Sequence, residues 1–332
     1  MRLEKKYVTY IILALVVGFL TYILIGFFMD FEKIKSVALH YRYEFFLFAF
    51  LCIAANWVNE ALMLKSVVSG IKRVPFLSSF KIAMITQFFN LITPFFTGGQ
   101  PFTVYFFSKE GIEYEESIAA ILYKSFTFQI AISCLGTIAL VLSWSHLSVY
   151  ATLVALVSIV INLGIAFLIF FLGKRQGPVD AMVNFFLKLL KKLRLIKHDE
   201  SLKENIFKRA KDFVVMFEHF GNQRGLFVKL TLLNVLNYSL YIGSAVVILI
   251  GAGQVVNLQV LSRTLLLNFS SSVIPTPGTS GGVEGYYFLF LKSLININVL
   301  TFSVFLWRMA SYYLNIFVSG VFVGVSFLKE RK

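Results

Sequence analysis

Charged residues are scarce in this chain of 332 residues: Asp, Glu, Lys and Arg make up 14% of it, against about 25% in an average soluble domain. That scarcity excludes an ordinary soluble enzyme, and a hydrophobic content of 58% excludes a disordered chain. Cysteine is nearly absent. Cys52 and Cys134 both sit inside apolar runs, so a secreted disulfide scaffold is excluded and no C-x-x-C motif exists to hold zinc. The four histidines (His40, His146, His198 and His219) are scattered, without the helical spacing of a metal set. No metal and no cofactor is therefore expected.

What the chain has in abundance is phenylalanine, 37 residues of it, together with a formal net charge of +14. A strongly apolar chain that is also basic must concentrate its cations in particular places. Apolar stretches near 8–28, 45–64, 117–142, 148–172, 226–250 and 299–327 each reach the roughly 20 residues needed to cross a bilayer. The first follows Met1-Arg2-Leu3-Glu4-Lys5-Lys6 without a small-residue cleavage signal, so it reads as a retained span. Two more apolar regions, about 76–108 and 258–294, are broken by Pro and Gly near their middles. Their pieces are too short to cross, since a helix rises only about 1.5 Å per residue, and they read as re-entrant hairpins.

The Lys and Arg residues test this arrangement. With a cytoplasmic N-terminus and both hairpins re-entrant, the basic 173–222 segment, the 65–81 loop and the terminal Lys329-Glu330-Arg331-Lys332 fall on one side. The opposite loops near 144–147 and 251–257 carry no Lys or Arg, and only Lys33, Lys35 and Arg42 in the 29–44 loop argue against the assignment. The positive-inside rule thus predicts a multi-pass protein of the cell membrane with both termini cytoplasmic. Within 173–222, Val183, Phe186, Leu187, Leu190 and Leu193 suit an amphipathic helix on the membrane surface. Nothing in the basic loops resembles a nucleic-acid recognition motif, and nucleic acid is not an expected partner.

The two breaks share one pattern. Thr93-Pro94-Phe95-Phe96-Thr97-Gly98-Gly99 and Thr276-Pro277-Gly278-Thr279-Ser280-Gly281-Gly282 both read Thr-Pro-x-x-Thr/Ser-Gly-Gly, and each is followed by an aromatic-cation pair, Tyr123-Lys124 or Trp307-Arg308. Residues 1–145 and 146–332 therefore read as two repeats of opposite orientation within a single membrane domain, 1–332. The expected fold is all-α and polytopic: an inverted-topology repeat of about six transmembrane helices plus two re-entrant helical hairpins.

Pro94 and Pro277 are placed to end each inward half-helix, and the Gly-Gly pairs to open backbone N–H groups at the start of the next. Thr97 is spaced to cap that helix, with Gln100 at capping-box distance. Helix N-termini meeting from opposite faces favour an anion. Alternatively, Pro and Gly only permit tight packing. Once loop charge is set aside, Lys124, Arg308 and Glu284 remain within apolar segments. An ionised side chain there pairs or lines a wet cavity, so Glu284 and Arg308 form either a structural ion pair or part of a polar site. Asn56, Asn59, Gln87 and Asn90 read as interhelical hydrogen-bonding residues. The candidate substrate-binding residues are Thr97, Gly98, Gly99, Gln100, Lys124, Ser280, Gly281, Gly282, Glu284 and Arg308; no catalytic residue is assigned.

At these residues the chain resembles the flippase-like membrane domain of lysylphosphatidylglycerol synthases, which also occurs alone. The matching stretches are Thr93 to Pro101 with Tyr105 and Lys109-Glu110-Gly111-Ile112, then Pro275 to Glu284 with Arg308, Tyr312-Tyr313 and Gly320. Thr279 stands where the family pattern has Gly, Gln100 or its neighbour where many relatives carry an acid, and Lys124 where relatives often have Arg. The resemblance implies movement of a charged-headgroup lipid between leaflets: a phospholipid, an aminoacyl-phosphatidylglycerol or a polyisoprenyl phosphate. It implies no aminoacyl transfer, because that chemistry belongs to a separate soluble domain, which is not expected in a sequence ending at Lys332. The expected partner is a membrane lipid with an anionic or zwitterionic headgroup, and self-association into a homo-oligomer is compatible with the reading. The alternatives are an intramembrane lipid-modifying transferase with Glu284 as base, a phosphatidylglycerol lysyltransferase label included, and a scaffold that transports nothing.

Overall fold

A computed structural model describes residues 31–192 and 200–329. The expected first span, 8–28, lies outside the described residues. Those residues form helices and no strand: α1 (Phe31–His40), α2 (Glu44–Val67), α3 (Phe76–Leu91), α4 (Gly99–Lys109), α5 (Tyr114–Ser143), α6 (Val149–Lys174), α7 (Gln176–Lys192), α8 (Glu200–Asn222), α9 (Arg224–Gly251), α10 (Leu258–Ser271), α11 (Gly282–Leu291), α12 (Ile297–Arg308) and α13 (Leu314–Lys329). A π-turn, Met309–Tyr313, joins α12 to α13. Among the described residues, five helical stretches are long and apolar enough to cross a membrane: Glu44–Val67, Tyr114–His146, Val149–Lys174, Arg224–Gly251 and Ile297–Ser326. They coincide with the five apolar runs expected beyond residue 44, and the chain is a polytopic all-helical membrane protein.

Local chemistry sets the helix starts. Glu113 and Glu116 form a capping box at the head of α5. The Ser148 hydroxyl accepts from the Ala151 N–H at 3.3 Å to open α6, and Asn257 Oδ1 accepts from the Val260 N–H at 3.0 Å to open α10. Each satisfies a donor that the helix itself leaves unpaired.

Both broken regions fold as helical hairpins. Arm α3 packs on α4, and α10 packs on α11, while the two breaks themselves touch. The backbone takes the same course from Thr93 to Phe96 as from Thr276 to Thr279, and then parts, with Thr97 at φ −111°, ψ −14° and Ser280 at φ −62°, ψ 142°. Thr93 is extended (φ −117°, ψ 152°), and after Pro94 comes Phe95 in the left-handed region (φ 57°, ψ 13°). Thr276 is extended (φ −104°, ψ 152°), and after Pro277 comes Gly278 at φ 57°, ψ 22°. Phe96 and Thr279 follow with φ 56° and 54°. The left-handed region costs a non-glycine residue about 1–2 kcal/mol, a strain that Gly278 avoids and Phe95 carries.

Packing between the halves is reciprocal. Hairpin arm α3 packs on α13, the last helix of the second half, and arm α10 packs on α5, the last long helix of the first. The α2–α9 pair forms the largest helix–helix contact at the centre. The basic segment after α6 behaves in two ways. Helix α7 exposes Met182, Phe185, Phe186 and Leu189, as expected of an amphipathic surface helix. Helix α8 instead packs along α5, with Phe217 and Phe220 buried against Tyr123 at ring separations of 5.6 and 5.7 Å. The connector is therefore partly core.

Candidate functional site

The second break is built around a buried ion pair. Arg308 and Glu284 are each 1% exposed. Arg308 Nε lies 2.9 Å from Glu284 Oε1. Its two terminal nitrogens donate to the Gly278 carbonyl at 3.2 Å, and one also donates to Ser280 Oγ at 2.8 Å. Glu284 Oε2 accepts the Gly281 N–H at 2.8 Å. The carboxylate thus caps the N-terminus of its own helix α11, the favourable end for negative charge. The guanidinium stacks on Tyr312, 4.1 Å from the ring centre, and that ring leaves no room above Gly278, where an added Cβ would meet Tyr312 at 2.0 Å. Gly278→Ala is accordingly expected to destabilise the protein by about 1–3 kcal/mol, read as a lower midpoint of thermal unfolding in detergent.

The first break closes with side chains rather than with a charge. Thr93 Oγ1 accepts the Gly98 N–H at 2.9 Å and Asn90 Oδ1 accepts the Gly99 N–H at 2.8 Å. Thr97, expected as the cap, instead donates to the Pro94 carbonyl at 3.3 Å, and no side chain caps α4 at its Gly98 N-cap. Gly99 is pressed on the backbone of α3: a Cβ there would stand 2.2 Å from the Thr86 carbonyl oxygen. The Gly-Gly pair therefore serves close approach of α3 and α4.

Between the hairpins and the long helices lies a cavity of about 790 Å³, within the size range of small-molecule sites. Its polar lining holds nine carboxamides and eight hydroxyls. Asn56 comes from α2, Gln87 and Asn90 from α3, Gln100 from α4 and Gln129 from α5. Asn162 on α6, Asn234 and Asn237 on α9, and Asn268 on α10 complete the set. One side is apolar, with Ile161, Ile165 and Ile169 forming a stripe along α6 beside Leu122 and Phe128. The charged residues in the wall are Lys124 and Glu60, which are paired with each other. Phe95, Phe96 and Thr97 of the first break and Thr279 of the second also face the cavity.

The model of the family described as "Lysylphosphatidylglycerol synthase TM region" matches residues 11–319. The chain belongs to this family. It is also similar to a UPF0104 membrane protein from Archaeoglobus fulgidus, 24% identical over 286 residues, which is 85% of this chain and 87% of that protein. Both matches cover most of this chain.

In this family member the expected site residues divide into two groups. Thr97, Gln100 and Lys124 line the cavity. Gly98, Gly99, Ser280, Gly281, Gly282, Glu284 and Arg308 do not line it and belong to the two breaks and their immediate supports. Pro94 and Pro277 begin the short turns of the breaks. Sequence reasoning did not place two charges. Glu60, partly buried on α2, is the partner of Lys124 from 64 residues away. Arg263 is 4% exposed and donates to the carbonyls of His146 and Phe290 and to Ser293 Oγ, tying the end of α11 to the α5–α6 turn. Asn56 and Asn59 do make the expected interhelical bonds, to the carbonyls of Asn237 and Leu233 at 2.7 and 2.8 Å.

Proposed function

We propose that the protein is a lipid flippase or transporter, moving a lipid with a charged headgroup between the leaflets of the cell membrane. The observation that carries this reading is the cavity: polar on the side of the breaks, apolar along α6, and bearing one cation, Lys124, beside one carboxylate. A phosphate-bearing headgroup matches Lys124, and the acyl or isoprenyl tail matches the apolar stripe. An ion pair in a membrane segment is retained where it lines a wet path.

The alternating-access arrangement is supported by two features. The breaks share an extended Thr before Pro and then two residues of positive φ, and the packing of α3 on α13 mirrors that of α10 on α5. Both fit an inverted repeat whose hairpins enter from opposite faces and meet at mid-depth. On this topology the termini and the basic connector are cytoplasmic. A transferase using Glu284 as general base is disfavoured by geometry, because that carboxylate is held by Arg308 and by the Gly281 N–H and does not line the cavity.

Reconstitution into proteoliposomes with a fluorescent phospholipid in both leaflets provides the test. Wild type is expected to accelerate leaflet exchange. Ser125→Trp, which fills the cavity from α5, is expected to return it to the protein-free rate, while Ser125→Ala retains it. Equal exchange by wild type and Ser125→Trp would remove the cavity from the path.

A further inference from the structure

The proposed transport site has a wall chemistry that says more about its occupant. Among the described residues the cavity wall carries no net charge, because Lys124 and Glu60 cancel. What remains polar is nine carboxamides and eight hydroxyls, and the carboxamides are the more selective groups. Several of these side chains are spent on the protein: Asn90 closes the first break, Asn162 bonds Ser158 and Ser272, and Asn234 bonds Thr127. Three others are not. Asn268 is 5% exposed and donates to the Thr264 carbonyl at 2.9 Å, yet its Oδ1 is buried without a protein partner. Gln129 Oε1 and Asn237 Oδ1 are likewise buried and unpartnered. The three sit on α5, α9 and α10, helices that pack pairwise on one another, and all three line the cavity.

A buried carboxamide oxygen without a donor carries a desolvation penalty of about 1–3 kcal/mol, and for these three it is relieved when the amide turns its oxygen to a donor in the cavity. A phosphate ester offers only acceptors and does not satisfy them. An ammonium group offers donors but brings a positive charge, and the one carboxylate in the wall is already neutralised by Lys124. A hydroxyl group supplies a donor and an acceptor at once. It satisfies a carboxamide in either orientation of the amide, since turning the amide exchanges an acceptor for a donor. Tyr238 and Tyr241 stand beside these amides in the same wall and add flat apolar faces suited to the C–H face of a ring.

We infer that the headgroup held in this cavity is a polyol, a sugar- or inositol-like ring bearing several hydroxyls, read by Gln129, Asn237 and Asn268, with its phosphate towards Lys124. The inference rests on the transport reading for its location only; the recognition chemistry is a binding property and is measured separately.

The experiment compares dioctanoyl-phosphatidylinositol with dioctanoyl-phosphatidylmethanol, which share tail, phosphodiester and charge and differ in the hydroxyls. Equilibrium binding to the purified full-length chain in detergent is expected to favour the inositol lipid by at least tenfold. Asn268→Leu and Gln129→Leu are each expected to reduce inositol-lipid affinity roughly three- to tenfold, the loss of one hydrogen bond. Binding of the methanol lipid, unchanged in the same variants, reports that they remain folded. Equal affinity for the two lipids in wild type would overturn the inference, as would variants that weaken both lipids alike. Leaflet exchange is followed in parallel. Preference for the inositol lipid without any exchange sinks the transport reading and leaves the headgroup assignment standing; exchange without preference does the reverse.

Discussion

Replacing Arg308 by Met is expected to be the most damaging single change in this protein. Glu284 would then keep a full negative charge at 1% exposure with the Gly281 N–H as its remaining partner. Removing one member of a buried ion pair typically costs about 3–5 kcal/mol, because the other charge is left uncompensated. The same change releases the Gly278 carbonyl and Ser280 Oγ, both of which Arg308 holds, so the whole second break loosens. Glu284→Gln is expected to be milder. The amide oxygen can still accept from the Gly281 N–H, and Arg308 retains its two neutral acceptors. The double variant, Arg308→Met with Glu284→Gln, is expected to recover much of the stability lost in Arg308→Met alone, since no unpaired charge remains buried. Thermal unfolding of the three variants in one detergent measures this directly. A midpoint for Arg308→Met equal to that of wild type would show that the pair does not hold the break.

The second large effect is expected at Lys124, and there the two partners should act in opposite directions. Lys124→Met removes the one cation in the cavity wall and leaves Glu60 facing the headgroup. Affinity for a phosphodiester lipid is expected to fall about 10- to 100-fold, the value of a charge-assisted hydrogen bond. Glu60→Gln keeps the cation and removes the carboxylate that competes for it. The same lipid is expected to bind more tightly to this variant, because Lys124 no longer gives up a partner to receive the phosphate. Tighter binding also slows release, so leaflet exchange is expected to fall in both variants although affinity moves oppositely. Parallel measurements of binding and exchange separate these outcomes. Matching losses of affinity in Lys124→Met and Glu60→Gln would mean that the pair serves only to join α2 to α5.

Lys124 and Arg308 each stand directly after an aromatic residue, yet they are used differently. Arg308 is consumed by a carboxylate on its own hairpin. Lys124 pairs with a carboxylate on a long helix at the cavity, where both side chains are less completely buried, at 19% and 16% exposure.

Much of this was legible in the residues themselves. Helix positions follow from runs of apolar side chains of bilayer length, and both hairpins from Pro and Gly breaking those runs. These are local signals, set by hydropathy and by what the backbone of each residue allows. The shared Thr-Pro start of the two breaks was visible for the same reason, since it imposes the same first steps of the turn. The caps were less legible. Thr97 has capping-box spacing, but Thr93 reaches the Gly98 N–H across the turn, a geometry that exists only once the chain has reversed.

The sequence alone thus determined that the chain enters a membrane, where it spans, where it breaks, and which ions stand in apolar surroundings. Only the tertiary structure decided which ions meet, that Arg308 and Glu284 do not line the cavity, that Glu60 belongs with Lys124, and that carboxamides from seven helices converge on one cavity. The physical reason is range. Burial and turn formation depend on neighbours a few residues away. Pairing depends on how α2, α5, α9 and α10 pack, and no local pattern encodes which side chain arrives opposite another from 64 residues along the chain.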